Sequence, residues 1–170
     1  YIEIQGVDEL QTKAEAQLVE YNQDPPGGKR MDLVLFLYAL EHLARVARTI
    51  LFPGGNALNV GVGGSCRQSC SKLAAYLADY KVFQIDIRKG YGIQAWKEDL
   101  QKLLLMSGAK NDKTVFLFND TQIKDESFVE DINCLLDTGE VPNLFPPDQK
   151  ATIAEDVRAA ARQAGQEGDG

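Results

Sequence analysis

At 170 residues the chain has room for one domain with a proper core, and 44% apolar with 25% charged residues is ordinary globular composition. A net charge of −7 argues against a general binder of nucleic acid or of anionic membrane. No apolar run reaches the length of about 18 residues that a membrane span needs.

Three cysteines, Cys66, Cys70 and Cys134, form no disulfide framework and read as reduced thiols in a cytosolic setting. Cys66 and Cys70 stand four apart, a spacing a metal pair can use, but with a single His in the chain they read as small apolar residues. The chain opens on Tyr1 without a signal peptide and is expected to be a piece of a longer protein.

In chain order, residues 8–22 place Leu10, Ala14, Leu18 and Tyr21 on one side of a helix, and Pro25-Pro-Gly-Gly28 breaks it. A stronger helix is predicted from about 32 to 50. Its stripe is Leu33, Phe36, Leu37, Leu40, Leu43, Ala44, Ala47 and Ile50, with Glu41, Arg45 and Arg48 opposite and His42 as a boundary histidine. Pro53, Gly54 and Gly55 end that helix. The apolar run 57–60 reads as a strand leading into Gly61, Gly63 and Gly64, after which Cys70, Leu73, Ala74 and Leu77 switch to helical spacing. Residues 81–87 and 114–118 read as further strands. Trp96, Leu100, Leu103 and Leu104 mark a helix closed near Gly108. Ser127 and Glu130 form a capping box before a helix that Gly139 stops. Residues 140–147 are a proline-rich loop. A last helix begins at Asp148 and fades into an Ala- and Gly-rich tail at 159–170, read as frayed or disordered.

Strand, glycine loop and helix make the layout of a phosphate-binding loop, in which backbone N–H groups and a helix N-terminus face anionic oxygens. Against G-x-x-x-x-G-K-[ST], Gly61 and the spacing fit, while Cys66, Arg67 and Gln68 replace the second glycine, the lysine and the hydroxyl ligand. Alone, such a loop serves equally as a tight strand-to-helix turn. Strands alternating with helices predict a parallel sheet with helices on both faces, whose ligands bind at the carboxyl ends of the strands. The loop after Val60 and the pair Asn119-Asp120 after Phe118 both fall at such ends. An apolar strand followed by a carboxylate suits a Mg²⁺ ligand, or simply a turn opener. Together the two positions favour nucleotide binding.

Several blocks then become recognisable: Met31-Asp-Leu-Val-Leu-Phe36, Glu41-His-Leu-Ala-Arg45, Gly61-Val-Gly-Gly-Ser-Cys-Arg-Gln-Ser69, Val82-Phe-Gln-Ile85 and Lys89-Gly-Tyr-Gly92. With them stand Val115-Phe-Leu-Phe-Asn-Asp-Thr-Gln-Ile123, Glu126-Ser-Phe-Val-Glu-Asp-Ile-Asn133 and Gly139-Glu-Val-Pro-Asn-Leu-Phe145. Over roughly residues 1–158 the chain resembles the fourth AAA+ module of axonemal dynein heavy chains. The resemblance implies an α/β fold, the large subdomain of a P-loop NTPase, incomplete at its C-terminus. Residues 1–56 would be its N-terminal helices, 57–147 its P-loop core and 148–158 the start of its last helix.

It further implies a regulatory module binding ATP or ADP with Mg²⁺ through Gly61, Val62, Gly63, Gly64, Ser65, Cys66, Arg67, Gln68 and Ser69. Asn119 and Asp120 would lie at the metal, and Asp120 where a catalytic Glu would stand. Arg67 keeps the positive charge but not the shape of the lysine. Asn119 is a neutral ligand and Asp120 a carbon short, so hydrolysis is expected to be slow or absent. The family has Gly where Cys66 stands and an apolar residue where Asn59 stands. In a buried strand an unpaired amide costs about 1–3 kcal/mol. The later strands with their sensor residues, the helical lid and an arginine finger are expected to lie outside this stretch.

The implied partners are neighbouring AAA+ modules of the same heavy chain, the microtubule through the parent's stalk, and dynein intermediate and light chains, in the axoneme of a cilium or flagellum. The competing reading is a nucleotide-free structural module that packs between ring neighbours.

Overall fold

A computed structural model describes residues 6–64 and 66–163, and the chain divides into two compact units, the first ending at Val82 and the second starting at Phe83. The division falls inside the 57–147 stretch that the sequence suggests as one core.

In the first unit, helices α1 (Val7–Gln23), α2 (Leu37–Leu51) and α3 (Arg67–Leu77) pack on one another. Leu40, Leu43 and Val46 of α2 and Cys70, Leu73 and Ala74 of α3 meet Ala14 and Tyr21 of α1 in one core. Each fully buried Leu contributes about 1.5–3 kcal/mol. Tyr21 meets Tyr76 edge-on, with ring centroids 5.2 Å apart.

Helix α2 starts five residues later than the apolar stripe predicts. From Met31 to Phe36 burial alternates, with Met31, Leu33 and Leu35 inside and Asp32, Val34 and Phe36 outside, the period of two that belongs to extended backbone. The Asn22 side chain holds this segment at its start: Nδ2 donates to the Met31 carbonyl at 2.9 Å, and the Met31 N–H donates to Oδ1 at 2.7 Å. With both Met31 backbone groups satisfied sideways, a helix has nothing to gain there. Leu33 and Phe36 therefore do not belong to the α2 stripe.

The strand predicted at 57–60 is absent among the described residues. Leu58, Val60 and Val62 are 91, 84 and 80% exposed, and no ladder pairs this run. Its backbone donors and acceptors find no strand beside them, and unpaired strands do not hold.

The second unit centres on Trp96 and Phe128, both fully buried and stacked with ring centroids 4.4 Å apart and planes 6° from parallel. Trp96 lies on α4 (Ile93–Leu104), which continues into a wide turn over Leu105–Ala109. Phe128 lies on α5 (Glu126–Asp137). Trp96 Nε1 donates to Asp131 Oδ2 at 2.8 Å, so the ring is buried with its one polar group satisfied. Leu100, Leu103, Ile85, Val141 and Leu144 complete the core. Gln101 Nε2 ties the 140–147 loop to α4 through the Leu144 carbonyl at 2.6 Å.

The helix α5 is capped by Asp125, which accepts from the Ser127 N–H at 3.0 Å, rather than by the predicted Ser127–Glu130 box. A carboxylate at that helix N-terminus is the stronger cap. These hydrogen bonds hold the Asp125 carboxyl below the ordinary value. Gly139 stops α5 as expected, at φ +75°, with its N–H on the Leu135 carbonyl at 3.2 Å.

Among the described residues the sheet consists of two short parallel strands, β1 (Lys81–Phe83), which straddles the boundary between units, and β2 (Thr114–Phe116). Both fall short of the predicted 81–87 and 114–118. Helix α6 (Pro147–Gln163) runs past residue 158 into the segment expected to fray, and the remainder of the tail, 164–170, lies outside the described residues. No helix among the described residues is long and apolar enough to cross a membrane.

Candidate functional site

The glycine loop leads into α3, an 11-residue helix whose N-cap residue, Cys66, offers no side-chain cap. The first N–H groups of such a helix have no partner within it, and together with the helix dipole they suit an anion. Gly64, at φ +78°, turns the chain with no steric penalty. Cys66 makes a similar left-handed turn, at φ +55° and ψ +13°, with a side chain that backbone disfavours by about 1–2 kcal/mol. The reason glycine suits this position is therefore backbone conformation as much as room for a ligand. Replacing Cys66 with Gly is expected to stabilise the chain by about 0.5–1 kcal/mol, the relieved strain offset in part by unfolded-chain entropy. Urea unfolding of the two forms checks this, and a loss of stability would contradict it.

Arg67 is half-buried and folded back over the loop. Its Nη1 donates to the Asn59 carbonyl at 3.4 Å and Nη2 to the Val62 carbonyl at 3.2 Å. Both are long, soft contacts that leave further guanidinium donors for a ligand. Asn59 is half-buried, and its Nδ2 donates to Ser71 Oγ at 3.1 Å, while Ser71 donates to the Arg67 carbonyl at 2.8 Å. The expected cost of an unpaired amide at 59 does not arise. Ser71 was not signalled as a site residue, although a serine on the buried face of α3, beside Cys70 and Ala74, is the visible anomaly. Gln68 is exposed and Ser69 half-buried, both in the first turn of α3, and Ser65 lies outside the described residues. Burial, with Cys66 nearby, pushes the Cys70 thiol up, which makes it unreactive.

Asn119 and Asp120 belong to the second unit, at the start of the 3-10 turn Asp120–Gln122. Asn119 is half-buried and Asp120 exposed. The Asn119 Oδ1 accepts from both the N–H and the hydroxyl of Thr121, which occupies its two lone pairs. Asp120 Oδ1 accepts from the same N–H at 3.0 Å. For Mg²⁺, a hard cation that seeks oxygen, Asp120 fits as an exposed anionic ligand. Asn119 fits only after releasing Thr121. Gln122, buried at 4% exposure, was also missed. The signal was the spacing Asn119-x-x-Gln122, a capping box that the structure shows complete.

Among the described residues no three His, Cys, Asp or Glu side chains gather as metal ligands. His42 is half-buried on α2 with Nε2 unpartnered.

Dynein axonemal heavy chain 3 of Homo sapiens is 47% identical over 166 residues, covering 98% of this chain and 4% of that protein. The dynein-1-beta heavy chain of the flagellar inner arm I1 complex of Chlamydomonas reinhardtii is 50% identical over 140 residues, 82% of this chain and 3% of that protein. Dynein axonemal heavy chain 2 of Homo sapiens is 44% identical over 162 residues, 95% of this chain and again 4% of the relative. The chain thus spans only about a twenty-fifth of the length of these relatives. Residues 31–169, which hold the glycine loop, Arg67 and the Asn119-Asp120 turn, match the family described as P-loop containing dynein motor region D4, and the chain belongs to that family.

Proposed function

We infer that this stretch is a nucleotide-binding, regulatory AAA+ module of a microtubule-based ciliary motor, a dynein heavy chain, in which hydrolysis is weak or absent. The observation that carries the reading is the α3 N-terminus, uncapped by any side chain and headed by a glycine loop, with the Arg67 guanidinium folded onto the loop carbonyls of Asn59 and Val62. Gly61, Gly63, Gly64 and the first-turn amides of Arg67, Gln68 and Ser69 would hold the phosphates of ATP or ADP, and Asp120 would carry the Mg²⁺. The metal would supply charge neutralisation between phosphate oxygens. Neither Asn119, spent on Thr121, nor Asp120, short of the reach of a glutamate, is well placed to orient an attacking water. This supports binding without turnover.

On this reading the fold is the large subdomain of a P-loop NTPase, and 57–60 becomes a strand once later strands of the parent heavy chain lie beside it. Exposed Leu58, Val60 and Val62 support this, because such a run has apolar side chains still to bury. Neighbouring AAA+ modules, the microtubule through the stalk, and intermediate and light chains would be partners of the parent protein in the axoneme.

The second reading, a structural module without nucleotide, is favoured by the same Arg67 and Asn119 contacts if they are permanent. Calorimetric titration with ATP and ADP, with Mg²⁺ and with EDTA, separates the two. Micromolar binding with ATP left intact over hours is the expected result. No heat from a folded chain would favour the structural reading, and steady phosphate release would overturn the expectation of weak hydrolysis.

A further inference from the structure

Gln122 stands where the ladder between β1 and β2 stops. The Leu117 N–H donates to the Phe83 carbonyl at 2.9 Å. In a parallel pair the next bond of that series joins residues two further on in each strand, here the Asn119 N–H and the Ile85 carbonyl. Those two groups are instead bridged by one carboxamide. Asn119 N–H donates to Gln122 Oε1 at 2.9 Å, and Gln122 Nε2 donates to the Ile85 carbonyl. The orientation is unambiguous, since a flipped amide would set donor against donor and acceptor against acceptor. The side chain is inserted into the ladder as a spacer one amide wide, buried and with both ends engaged.

We propose that Gln122 is the positioning residue of the Asn119-Asp120 turn: by wedging its carboxamide between the Asn119 N–H and the Ile85 carbonyl, it ends the sheet there, parts the strands at their carboxyl ends and fixes the direction in which Asp120 faces out. Only a side chain too short to fill the gap would let Asn119 N–H zip onto Ile85; one of equal bulk without the carboxamide keeps the strands apart and leaves that N–H unpaired. Gln122 also returns its own N–H to the Asn119 carbonyl at 3.0 Å, so the turn is closed from both sides. Its purpose, holding a carboxylate ready for the cation of a bound nucleotide, rests on the proposed function, whereas its geometry does not.

Two measurements on the 170-residue chain test the wedge and its purpose separately. Amide exchange read by NMR without nucleotide reports on the wedge. In Gln122→Leu, similar in volume but without the carboxamide, Asn119 N–H is expected to exchange about tenfold faster than in the native chain, with Trp96 N–H as the unaffected reference. Gln122→Glu separates a hydrogen-bonded wedge from a mere filler. Protonated, near pH 4, the acid accepts from Asn119 and donates to Ile85, so protection matches the native chain at that pH. Ionised, by about pH 8, its second oxygen faces the Ile85 carbonyl and protection falls. Protection that stays native in the leucine variant, or that does not change with pH in the glutamate variant, overturns the proposal.

ADP affinity with Mg²⁺ against EDTA then reads the purpose. The leucine variant is expected to lose about tenfold of the Mg²⁺-dependent gain while the metal-free affinity stays within about twofold. A native chain that binds ADP, and a variant with an undiminished Mg²⁺ gain, would overturn the positioning role. A native chain that binds no nucleotide would overturn the proposed function instead, and the exchange profile would still decide on the wedge.

Discussion

Truncating Trp96 to alanine is expected to cost about 4 kcal/mol, the upper range for a fully buried aromatic and a large part of what holds a domain folded. The ring is fully buried, stacked on Phe128 at 4.4 Å and 5.4 Å from Phe118 by centroid, and its Nε1 holds Asp131. Removing it leaves a cavity lined by two aromatic faces that cannot collapse without dragging α4 and α5 together, so relaxation will recover little of the loss. Trp96→Phe keeps a stacking partner and loses the hydrogen bond and part of the volume, for an expected cost of about 1.5–2 kcal/mol. Because Trp96 is the only tryptophan, urea unfolding must be followed by far-ultraviolet circular dichroism rather than fluorescence. A cost below about 1 kcal/mol for the alanine variant would mean that the stack is not the organising contact of the second unit.

That core was legible from residue spacing, since Trp96, Leu100, Leu103 and Leu104 repeat at helical intervals and few other patterns use them. The segment 31–36 was not. Its apolar run abuts a true helical stripe, and periods of two and 3.6 cannot be told apart over so few residues. What decided the matter was Asn22, nine residues away, whose carboxamide takes both backbone groups of Met31. The run 57–60 failed for a different reason. Its composition is that of a strand, but a strand is a relation between two segments, and the described residues supply none for it.

The strand at 81–87 was overestimated because hydrophobicity continues past Ile85, where Gln122 intervenes in the ladder, whereas 114–118 overshoots only at its end, beyond the last ladder bond from the Leu117 N–H to the Phe83 carbonyl. The two missed polar residues, Ser71 and Gln122, share one signature. Each is a buried polar side chain with its partners supplied nearby, Ser71 by the Arg67 carbonyl and Asn59, Gln122 by the Asn119 N–H and the Ile85 carbonyl. A buried polar group has to be paired, so such residues deserve to be read as tethers before a structure is known. The glycine loop itself was legible, and its departure at Cys66 acquires a physical meaning only through the positive φ that the residue adopts.

Arg67→Ala is expected to reduce ATP and ADP affinity by about 30- to 100-fold while changing stability by less than about 1 kcal/mol. The two expectations come from different contacts. In the free chain the guanidinium rests on the Asn59 and Val62 carbonyls at 3.4 and 3.2 Å. These are neutral acceptors at long range on a loop that is largely exposed, so their loss costs little. With a phosphate bound at the α3 N-terminus, the same group would face a full anionic charge, where one charge-assisted hydrogen bond is worth about 1.5–3 kcal/mol. Arg67→Lys sharpens the test. An ammonium restores the charge but not the fork that can span two loop carbonyls and still reach a phosphate, so about a fivefold loss is expected, carried by the electrostatic part alone. The electrostatic part also predicts that the arginine–alanine difference shrinks as salt is raised. If native, lysine and alanine forms all bind with equal affinity, the guanidinium serves only to brace the loop, and the nucleotide would have to be held by backbone amides alone. If none binds while all three remain folded, Arg67 is a brace in a module without nucleotide, and the structural reading takes the place of the regulatory one.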